Sequence, residues 1–235
     1  MVEPDRDAPG RGHPPSPIRC VVTAGPTREY FDPVRFLSNP STGRMGYALA
    51  GQAAARGWSV DLVAGPTELP EPDGVLFYPV ETGEEMLHQV DALLPACDVL
   101  LMTAAVTDFR PATYHEQKEK KDGRSRSVQL EPVPDLLATF AERRGGHPRP
   151  LLVGFAAETE ELEAHARAKL LRKNLDLIAA NRVDGPAGAF GAERSTLLVL
   201  DRQGRRQEWG PAPKVELASL LLDRVEELLA HAPTA

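Results

Sequence analysis

Short apolar segments alternate with amphipathic segments along most of the chain. Residues 18–25 (IRCVVTAG) and 59–65 (SVDLVAG) are apolar, β-branched runs that each end in glycine. Between them, apolar residues recur at helical spacing as far as Gly57. Runs of this kind are typical of buried strands, and the spacing between them is typical of an amphipathic helix. The pattern therefore predicts a βαβ unit.

The same alternation continues through the middle of the chain. A helix is predicted from Thr82, because Thr82 and Glu85 match a capping box. Further helices are predicted at about 134–144 and 160–174, and further strands at 74–80, 98–106, 150–158 and 176–181. Because right-handed crossovers place helices on either side of a parallel sheet, we predict an α/β fold with an open, mostly parallel sheet and helices on both faces.

The end of the chain departs from this alternation. TLLVLD (196–201), an RQGR turn and RQEWG (206–210) precede an amphipathic stretch that runs from about residue 214 to residue 231. Two short strands joined by a tight turn are typical of a hairpin. We therefore predict a C-terminal antiparallel edge hairpin closed by a last helix.

Composition narrows the class of protein. The 235 residues carry a net charge of −7, which argues against nonspecific nucleic-acid binding through overall charge. No apolar run is long enough to span a membrane, and residues 1–17 contain five prolines and no apolar core of a secretory signal. Cys20 and Cys97 lack metal-ligand spacing and are expected to be buried thiols. We predict a disordered tail at 1–17, a single domain at 18–235, and a cytoplasmic enzyme or binding protein.

Ligands of open parallel sheets bind at the carboxyl ends of the strands. The loops that follow VVTA, LMTAA and VGFAA, together with the turn at Pro134, should therefore share one crevice. We expect the candidate functional residues to lie in these loops.

The segment SNPSTGRMG (38–46) places a proline, two glycines and short polar side chains at a predicted helix start. Backbone N–H groups and the helix dipole make such a start suitable for an anion, although an ordinary capped turn is the alternative. The candidate residues for a substrate phosphate are Ser41, Thr42, Gly43 and Arg44. Asn39 is a separate candidate, because its uncharged amide can both donate to and accept from a reacting carboxyl group.

Charged residues supply further candidates. The segment 116–126 (EQKEKKDGRSR) has five cationic and three anionic side chains and no apolar periodicity, which predicts a mobile surface flap. A lysine on this flap could close over a polyphosphate, and a solvated loop is the alternative. Lys169 and Lys173 lie four residues apart and therefore share a helix face. They are candidates for binding an anion, and the alternative is that they only complement the helix dipole. Asp108 follows a strand end and could hold a metal ion or a ligand hydroxyl, or be a surface cap.

Six blocks of sequence, in a fixed order, carry a resemblance to a known family. They are TAGPTREYFDPVRFLSNPSTGRMG, AAVTDFRPA, KEKK, PDLLA, VGFAAETE and KLLRKNLDLIAAN. Through these blocks, over about residues 19–200, the chain resembles phosphopantothenoylcysteine synthetase, the phosphopantothenate and cysteine ligase of coenzyme A biosynthesis.

The resemblance implies a Rossmann-like fold and a two-step reaction. In bacterial members, CTP and 4'-phosphopantothenate give an acyl-cytidylate and pyrophosphate, and the amine of cysteine then displaces CMP to form 4'-phosphopantothenoylcysteine. The resemblance also implies a homodimer and Mg²⁺, which masks the charge of the triphosphate. Because eukaryotic relatives use ATP, ATP is retained as the alternative cosubstrate.

Roles for individual residues follow from the same resemblance. Asn39 matches the family asparagine that handles the acyl-cytidylate. Lys118, the first lysine of the flap, matches the lysine that closes on the nucleotide and helps form that intermediate. The other positions expected to line the nucleotide pocket are Met102, Thr103, Ala104, Asp108, Val133, Pro134, Asp135, Leu136, Phe155, Lys169 and Lys173.

Three departures from the family pattern bear on nucleotide choice. VPDL replaces NPDI, Ser195 ends AFGAERS where the family has asparagine, and Arg44 replaces a lysine, which keeps the charge but changes the donor geometry.

Two other functions stay open. An NAD(P)-dependent oxidoreductase would require a glycine fingerprint that is missing after the first strand, and a noncatalytic nucleotide sensor would keep the pocket alone. Because a short tail precedes Ile18, we expect the flavin-dependent decarboxylase of many bacterial relatives to be a separate chain.

Overall fold

The computed structural model describes residues 17–121, 123–183 and 194–231. The predicted tail as far as residue 16, and residues 189–193 of the AFGAERS block, lie outside these described residues. Within them, the strands are β1 Arg19–Ala24, β2 Arg28–Tyr30, β3 Phe36–Ser38, β4 Ser59–Ala64, β5 Val75–Pro79, β6 Val99–Met102, β7 Phe109–Pro111, β8 Leu130–Pro132, β9 Leu151–Glu158, β10 Leu177–Arg182, β11 Arg194–Asp201 and β12 Arg206–Pro213. The α-helices are α1 Arg44–Ala55, α2 Gly83–Leu93, α3 Leu136–Arg144, α4 Leu162–Arg172 and α5 Lys214–His231.

Eight of these strands form one sheet in the order β12-β11-β10-β9-β6-β1-β4-β5. Neighbours from β10 to β5 pair in parallel, whereas β11 pairs antiparallel with both β10 and β12. The chain first moves outward from β1 to β4 and β5, and then continues on the other side of β1 with β6. The predicted fold class is confirmed, and the strand order reverses between β1 and β6.

The helices divide between the two faces of this sheet. α1 and α5 pack on one face, where they cover Cys20 and Val22 of β1. α2, α3 and α4 pack on the other face, where they cover Val21. Because successive side chains of a strand point to opposite faces, a strand covered on both sides must be apolar throughout. This accounts for the continuous apolar runs in the sequence.

Several local predictions are also confirmed. At the start of α2, the hydroxyl of Thr82 accepts the N–H of Glu85 at 3.1 Å, and the Glu85 carboxylate accepts the N–H of Thr82 at 3.4 Å. Cys20 and Cys97 are free, buried thiols. Within the described ranges, none of the helices has the length and apolar character required to cross a bilayer.

Two small sheets were not predicted. β2 pairs with β3 in the loop between β1 and α1, and β7 pairs with β8 in the loop between β6 and α3. Each of these strands has three residues and is partly exposed. So short a strand shows no readable alternation of apolar and polar positions. The described residues of the flap at 116–126 lie outside any helix or strand, as predicted.

The start of α1 lies directly against the ends of β1 and β6. A Cβ atom at Gly46 would lie 2.5 Å from the Cβ of Ala24 and 2.5 Å from the Oγ1 of Thr103. The Thr103 hydroxyl is itself fixed, because it donates a hydrogen bond to the carbonyl of Thr23. Only glycine therefore allows the helix start to approach the sheet this closely.

We predict that Gly46→Ala lowers the free energy of unfolding by about 1–3 kcal/mol, because the helix start must move to accommodate the methyl group. Gly51→Ala is a matched control in the same helix, since its Cβ would lie 3.6 Å from the Cβ of Pro72, an ordinary contact. This control should raise the free energy of unfolding by up to about 1 kcal/mol. Urea unfolding of both variants tests the prediction, and equal effects would contradict it.

Candidate active site

Polar residues join the chain segments that continue β1 and β6 beyond the sheet. The hydroxyl of Thr23 accepts the N–H of Ala104 at 3.2 Å, and the hydroxyl of Thr27 accepts the N–H of Thr107 at 3.1 Å. Thr23 and Thr27 are both fully buried. Because buried hydrogen bonds of this kind are costly to break, they hold the two loops in a fixed relation. The loops form the floor of a crevice.

The crevice has a volume of about 400 Å³ and opens where the strand order reverses. This is the position at which open α/β sheets bind ligands. All of the site residues predicted from the sequence line it, except Lys118. These are Asn39, Ser41, Thr42, Gly43 and Arg44 before and at the start of α1; Met102, Thr103, Ala104 and Asp108 after β6; Val133, Pro134, Asp135 and Leu136 at the start of α3; and Phe155, Lys169 and Lys173 from β9 and the end of α4. Their roles as ligand contacts stay predictions.

The start of α1 forms the wall on one face of the sheet. Gly43 is the N-cap residue, with a left-handed φ of 74°, and no side chain caps the helix. The first turn contains no acidic residue, and its first residue is the exposed Arg44. The N–H groups of an uncapped first turn carry partial positive charge. This wall is therefore suited to an anion.

Lys169 and Lys173, which we call the α4 lysine pair, line the crevice from the other face. The Nζ of Lys169 donates to the carbonyl of Phe155 at 2.7 Å, and the Nζ of Lys173 lies 2.7 Å from the Asp135 carboxylate. Burial, and then the neighbouring charge of Lys173, lowers the pKa of Lys169. Partly desolvated ammonium groups attract an anion more strongly than they do in bulk water.

Asp135 links this lysine pair to the start of α3. Its carboxylate accepts the N–H of Ala138 at 3.1 Å, which caps the helix, and it accepts a hydrogen bond from Lys173. Burial favours the neutral form of the carboxyl group, yet the hydrogen bonds from Lys173 and Ala138 hold the pKa of Asp135 below its usual value. The negative charge of Asp135 is therefore already neutralised by Lys173 and by the N–H of Ala138.

Asn39 is fixed at the rim of the floor. Its Nδ2 donates to the carbonyls of Ala105 and Val106, each at 3.1 Å. A primary amide has two N–H donors, and these two bonds use both. The side-chain oxygen is then the group that can meet a ligand, and it is an acceptor. The sequence predicted an amide that both donates and accepts, whereas in the structure both N–H groups are engaged and the acceptor is left for a ligand.

Lys118 is exposed and does not line the crevice in a single chain. The neighbouring Glu119 is tied instead to the turn between β2 and β3. Its N–H donates to the Asp32 carboxylate at 3.3 Å, and its carbonyl accepts from Arg35 at 3.2 Å. The base of the flap is thus attached to the β2–β3 hairpin.

Asp32 is the centre of this attachment. It is fully buried, and its carboxylate accepts the N–H groups of Val34 and Arg35, each at 2.9 Å, as well as the Arg35 guanidinium. The Arg35 guanidinium is the main reason that the pKa of Asp32 lies well below its usual range. The carboxylate therefore stays ionised in the folded protein at neutral pH.

The crevice also has lining residues that sequence reasoning did not place in the site, among them the polar residues Asn181, Ser195 and Lys214 from β10, β11 and α5. Ser195 had been noted only as a departure from the family pattern. Lys214 is the first residue of α5 and does not follow a parallel strand, so the rule that ligands bind at the carboxyl ends of parallel strands does not predict it. The sequence contains one indication of an unusual role for this residue, because a lysine in the first turn of a helix opposes the helix dipole.

The donor groups of the crevice fit a magnesium ion held mainly by phosphate oxygens. Among the described residues, no group of three His, Cys, Asp or Glu side chains is placed to hold a metal ion alone. Asp108 is exposed and lines the crevice, whereas the Asp135 carboxylate is paired with Lys173. Magnesium at nucleotide sites commonly uses one or two carboxylates together with substrate phosphates. Asp108 is the carboxylate suited to this contact.

The comparison with protein families gives a direct result. The family model described as the DNA/pantothenate metabolism flavoprotein C-terminal domain matches residues 16–229. The chain belongs to this family. The resemblance to phosphopantothenoylcysteine synthetase stated from the six sequence blocks is thereby confirmed.

Individual relatives agree with this membership. Proteins named coenzyme A biosynthesis bifunctional protein CoaBC are 40% identical over 209 residues in Bacillus subtilis (strain 168) and 41% identical over 212 residues in Escherichia coli (strain K12). Both alignments cover 88% of this chain and 51% of the relative. The chain thus spans about half the length of these curated relatives.

Solved structures show the same fold. The crystal structure of the C-terminal domain of CoaBC superposes with a TM-score of 0.77 at 36% identity, covering 91% of this chain and 96% of that one. A mutant of Cab2 in complex with phosphopantothenate-cysteine superposes with a TM-score of 0.72 over 91% of this chain and 88% of its own. Because the second likeness has 20% identity, it shows the fold alone.

We predict that Asp32→Asn releases the base of the flap and lowers the melting temperature. Because the folded pKa of Asp32 is depressed, its stabilising effect is present above the ordinary carboxyl pKa of about 4 and is lost as the pH falls through the folded value. The difference in melting temperature between wild type and variant should therefore be largest at neutral pH and shrink only below about pH 4.

Trypsin supplies the second measurement for this variant, since Lys118 and Lys120 lie next to the attached Glu119. Cleavage in the flap should be faster in Asp32→Asn than in wild type. Asp73→Asn, at an exposed position, is the matched control and should change neither property. Equal cleavage rates in all three proteins would contradict the attachment.

Proposed function

We propose that the chain is a phosphopantothenate–cysteine ligase and that residues 18–235 act as one ligase domain. The observation that supports this proposal is the crevice where the strand order reverses, because its lining includes an uncharged amide together with cations from helices on both faces of the sheet. A reaction that joins a carboxylate to a nucleotide brings several anionic groups together. Cations on two sides, with a neutral amide at the rim of the floor, suit that requirement.

In the first step, an oxygen of the 4'-phosphopantothenate carboxylate attacks the α-phosphorus of CTP. The bond to the β-phosphate oxygen breaks, pyrophosphate leaves, and the acyl-cytidylate forms. The α4 lysine pair supports this step, since negative charge builds on the departing phosphates. When the flap closes, Lys118 would add its positive charge to that of the α4 lysine pair.

In the second step, the cysteine amine attacks the acyl carbon of the acyl-cytidylate. The bond from that carbon to the phosphate oxygen breaks, CMP leaves, and the amine gives up a proton as the amide forms. The side-chain oxygen of Asn39 is an acceptor fixed at the crevice floor, and it is suited to hold an N–H of the incoming amine. The main chain of Met102 to Ala104 and of Val133 to Leu136 would hold the cytidylate.

Two details of the cosubstrate belong to this proposal. CTP is the nucleotide that the bacterial resemblance favours, with ATP as the alternative. When bound, magnesium would supply charge neutralisation to the triphosphate, and Asp108 is the residue placed to contact it.

A homodimer is proposed as the assembled form. Apolar side chains are exposed on and beside the two small sheets, namely Val34, Phe36, Phe109, Val128 and Leu130. A second copy would cover them, because exposed apolar residues that cluster often mark a protein interface. Such a dimer also gives Lys118 two routes, closure over its own crevice or over that of the partner. We further propose a cytoplasmic location.

The central prediction is the reaction itself. Incubation with 4'-phosphopantothenate, cysteine, CTP and Mg²⁺ should release pyrophosphate and CMP, one of each per amide formed, as measured by phosphorus NMR and chromatography. Replacing CTP by ATP should lower turnover. Nicotinamide-dependent oxidation of a substrate would support the oxidoreductase instead, and CTP binding without any release of products would support the noncatalytic sensor.

Variants of the two catalytic candidates should affect different steps. Asn39→Ala should let acyl-cytidylate accumulate and slow amide formation by about 10²–10³-fold, the usual cost of losing a fixed polar group at a reacting centre. Lys118→Gln should slow pyrophosphate release while leaving the melting temperature unchanged, since an exposed lysine adds little to the core.

Lys121→Gln, a second exposed lysine of the same segment, is the matched control and should react at the wild-type rate. Quenched-flow sampling of pyrophosphate and CMP separates the two steps. Normal turnover in Asn39→Ala would remove Asn39 from the mechanism, and unfolding of Lys118→Gln would show that this lysine is structural.

A further inference from the structure

We infer that Ser38 and Thr27 are positioning residues, which hold the side-chain amide of Asn39 in the orientation that the amide-forming step requires. Neither residue lines the crevice, so both would act through Asn39 and not on a ligand. The inference rests on the proposed function, which assigns the second step to Asn39. It deepens that assignment by naming the residues that keep the amide in place.

The amide of Asn39 has one favourable orientation. Its Nδ2 donates to the carbonyls of Ala105 and Val106, each at 3.1 Å. If the amide turned over, its oxygen would face these two carbonyl oxygens, which offer no donor. The acceptor oxygen is therefore available to a ligand only while the backbone of Asn39 and the two carbonyls keep their relative positions.

Ser38 holds the backbone next to Asn39. Its hydroxyl donates to the carbonyl of Thr27 at 2.7 Å, across 11 positions of the sequence. Ser38 is the last residue of β3, and residues 39–43 belong to no helix or strand. The bond from a side chain to a distant carbonyl therefore supplies an anchor that regular backbone pairing does not provide at this point.

Thr27 holds the carbonyls that receive the Asn39 amide. Its N–H donates to the carbonyl of Ala105 at 3.4 Å, and its hydroxyl accepts the N–H of Thr107 at 3.1 Å. Thr27 is fully buried, and buried hydrogen bonds of this kind are costly to break. The segment from Ala105 to Thr107 is thus attached at both ends to one residue.

These contacts form a closed ring around Asn39. On the backbone side, Asn39 is joined to Thr27 through Ser38, and on the side-chain side it is joined to Thr27 through Ala105. A break in either connection would move the amide oxygen relative to the crevice floor. A displacement of about 1 Å at a reacting group can slow a reaction by about 10²-fold. Residues outside the crevice can therefore influence the step that Asn39 performs.

The test compares Ser38→Ala and Thr27→Val with the wild type by quenched-flow sampling of pyrophosphate and CMP. Each variant loses one hydroxyl and should slow CMP release about 3–10-fold, the usual effect of losing one hydrogen bond. Pyrophosphate release precedes the step assigned to Asn39 and should change less than about twofold. Ser38→Thr and Thr27→Ser keep the hydroxyl groups and should restore most of the rate of CMP release.

The same substitutions in an Asn39→Ala background distinguish positioning from general damage. If Ser38 and Thr27 act through Asn39, they should slow CMP release less than about twofold in that background, because residues that act as a unit are not additive. Thr23→Val is the matched control. Thr23 is also a fully buried threonine, and its hydroxyl accepts the N–H of Ala104, outside the ring around Asn39. Its effect on CMP release should be the same with and without Asn39.

Two results would overturn the inference. One is equal slowing of CMP release by Ser38→Ala and Thr27→Val in the wild-type and Asn39→Ala backgrounds. The other is a wild-type rate of CMP release in both single variants. If Thr27→Val does not fold, Ser38→Ala decides the question, because Ser38 is only partly buried and lies outside the apolar core.

A measurement without substrate separates this inference from the proposed function. The side-chain amide of Asn39 gives a pair of nitrogen–proton NMR signals, which are assigned by their loss in Asn39→Ala. Exchange of these protons with water should be faster in Ser38→Ala and Thr27→Val than in the wild type, because the bonds to Ala105 and Val106 open more often. Unchanged exchange in an active ligase would refute only the positioning. A wild type that releases no CMP would refute the ligase, whereas the exchange rates would still show whether these residues hold Asn39.

Discussion

The reversal of strand order between β1 and β6 is the constraint on which the rest of the structure depends. Neighbouring parallel strands whose connections leave in opposite directions create an opening at their carboxyl ends. Here the opening is kept in shape by buried hydrogen bonds, in which the hydroxyls of Thr23 and Thr27 bind the N–H groups of the loop after β6. Gly46 then allows α1 to begin at the edge of that opening. The floor and one wall of the crevice therefore follow from the same few contacts.

Charge in the crevice is arranged around this floor. Cations are held by the helices on both faces, while Asp135 balances Lys173 and caps α3. Desolvation strengthens the attraction of these cations for an anion and also makes an unoccupied arrangement costly. A protein of net charge −7 thus keeps a local concentration of positive charge in one place. This local arrangement, rather than the overall charge, determines which ligands the crevice favours.

The flap and the small sheets form a second layer outside the crevice. Asp32 joins the turn between β2 and β3 to Glu119, and β2 packs beside β7. The exposed apolar side chains lie on and near this layer. The base of the flap is therefore attached to the surface that we propose as the dimer interface.

The sequence by itself determined the architecture of the main sheet and the position of the crevice. Strands buried on both faces must be apolar throughout, helices between them must be amphipathic, and local capping by Thr82 depends on neighbours only three residues away. Tertiary structure alone decided which atoms of Asn39 are available, that Lys118 lies outside the crevice, and that Lys214 lies within it. These outcomes depend on partners 60 or more residues distant, or on the antiparallel hairpin that returns the chain to the sheet. The spacing of apolar residues indicates which face of a helix or strand is buried, but it does not indicate which residues pack against that face.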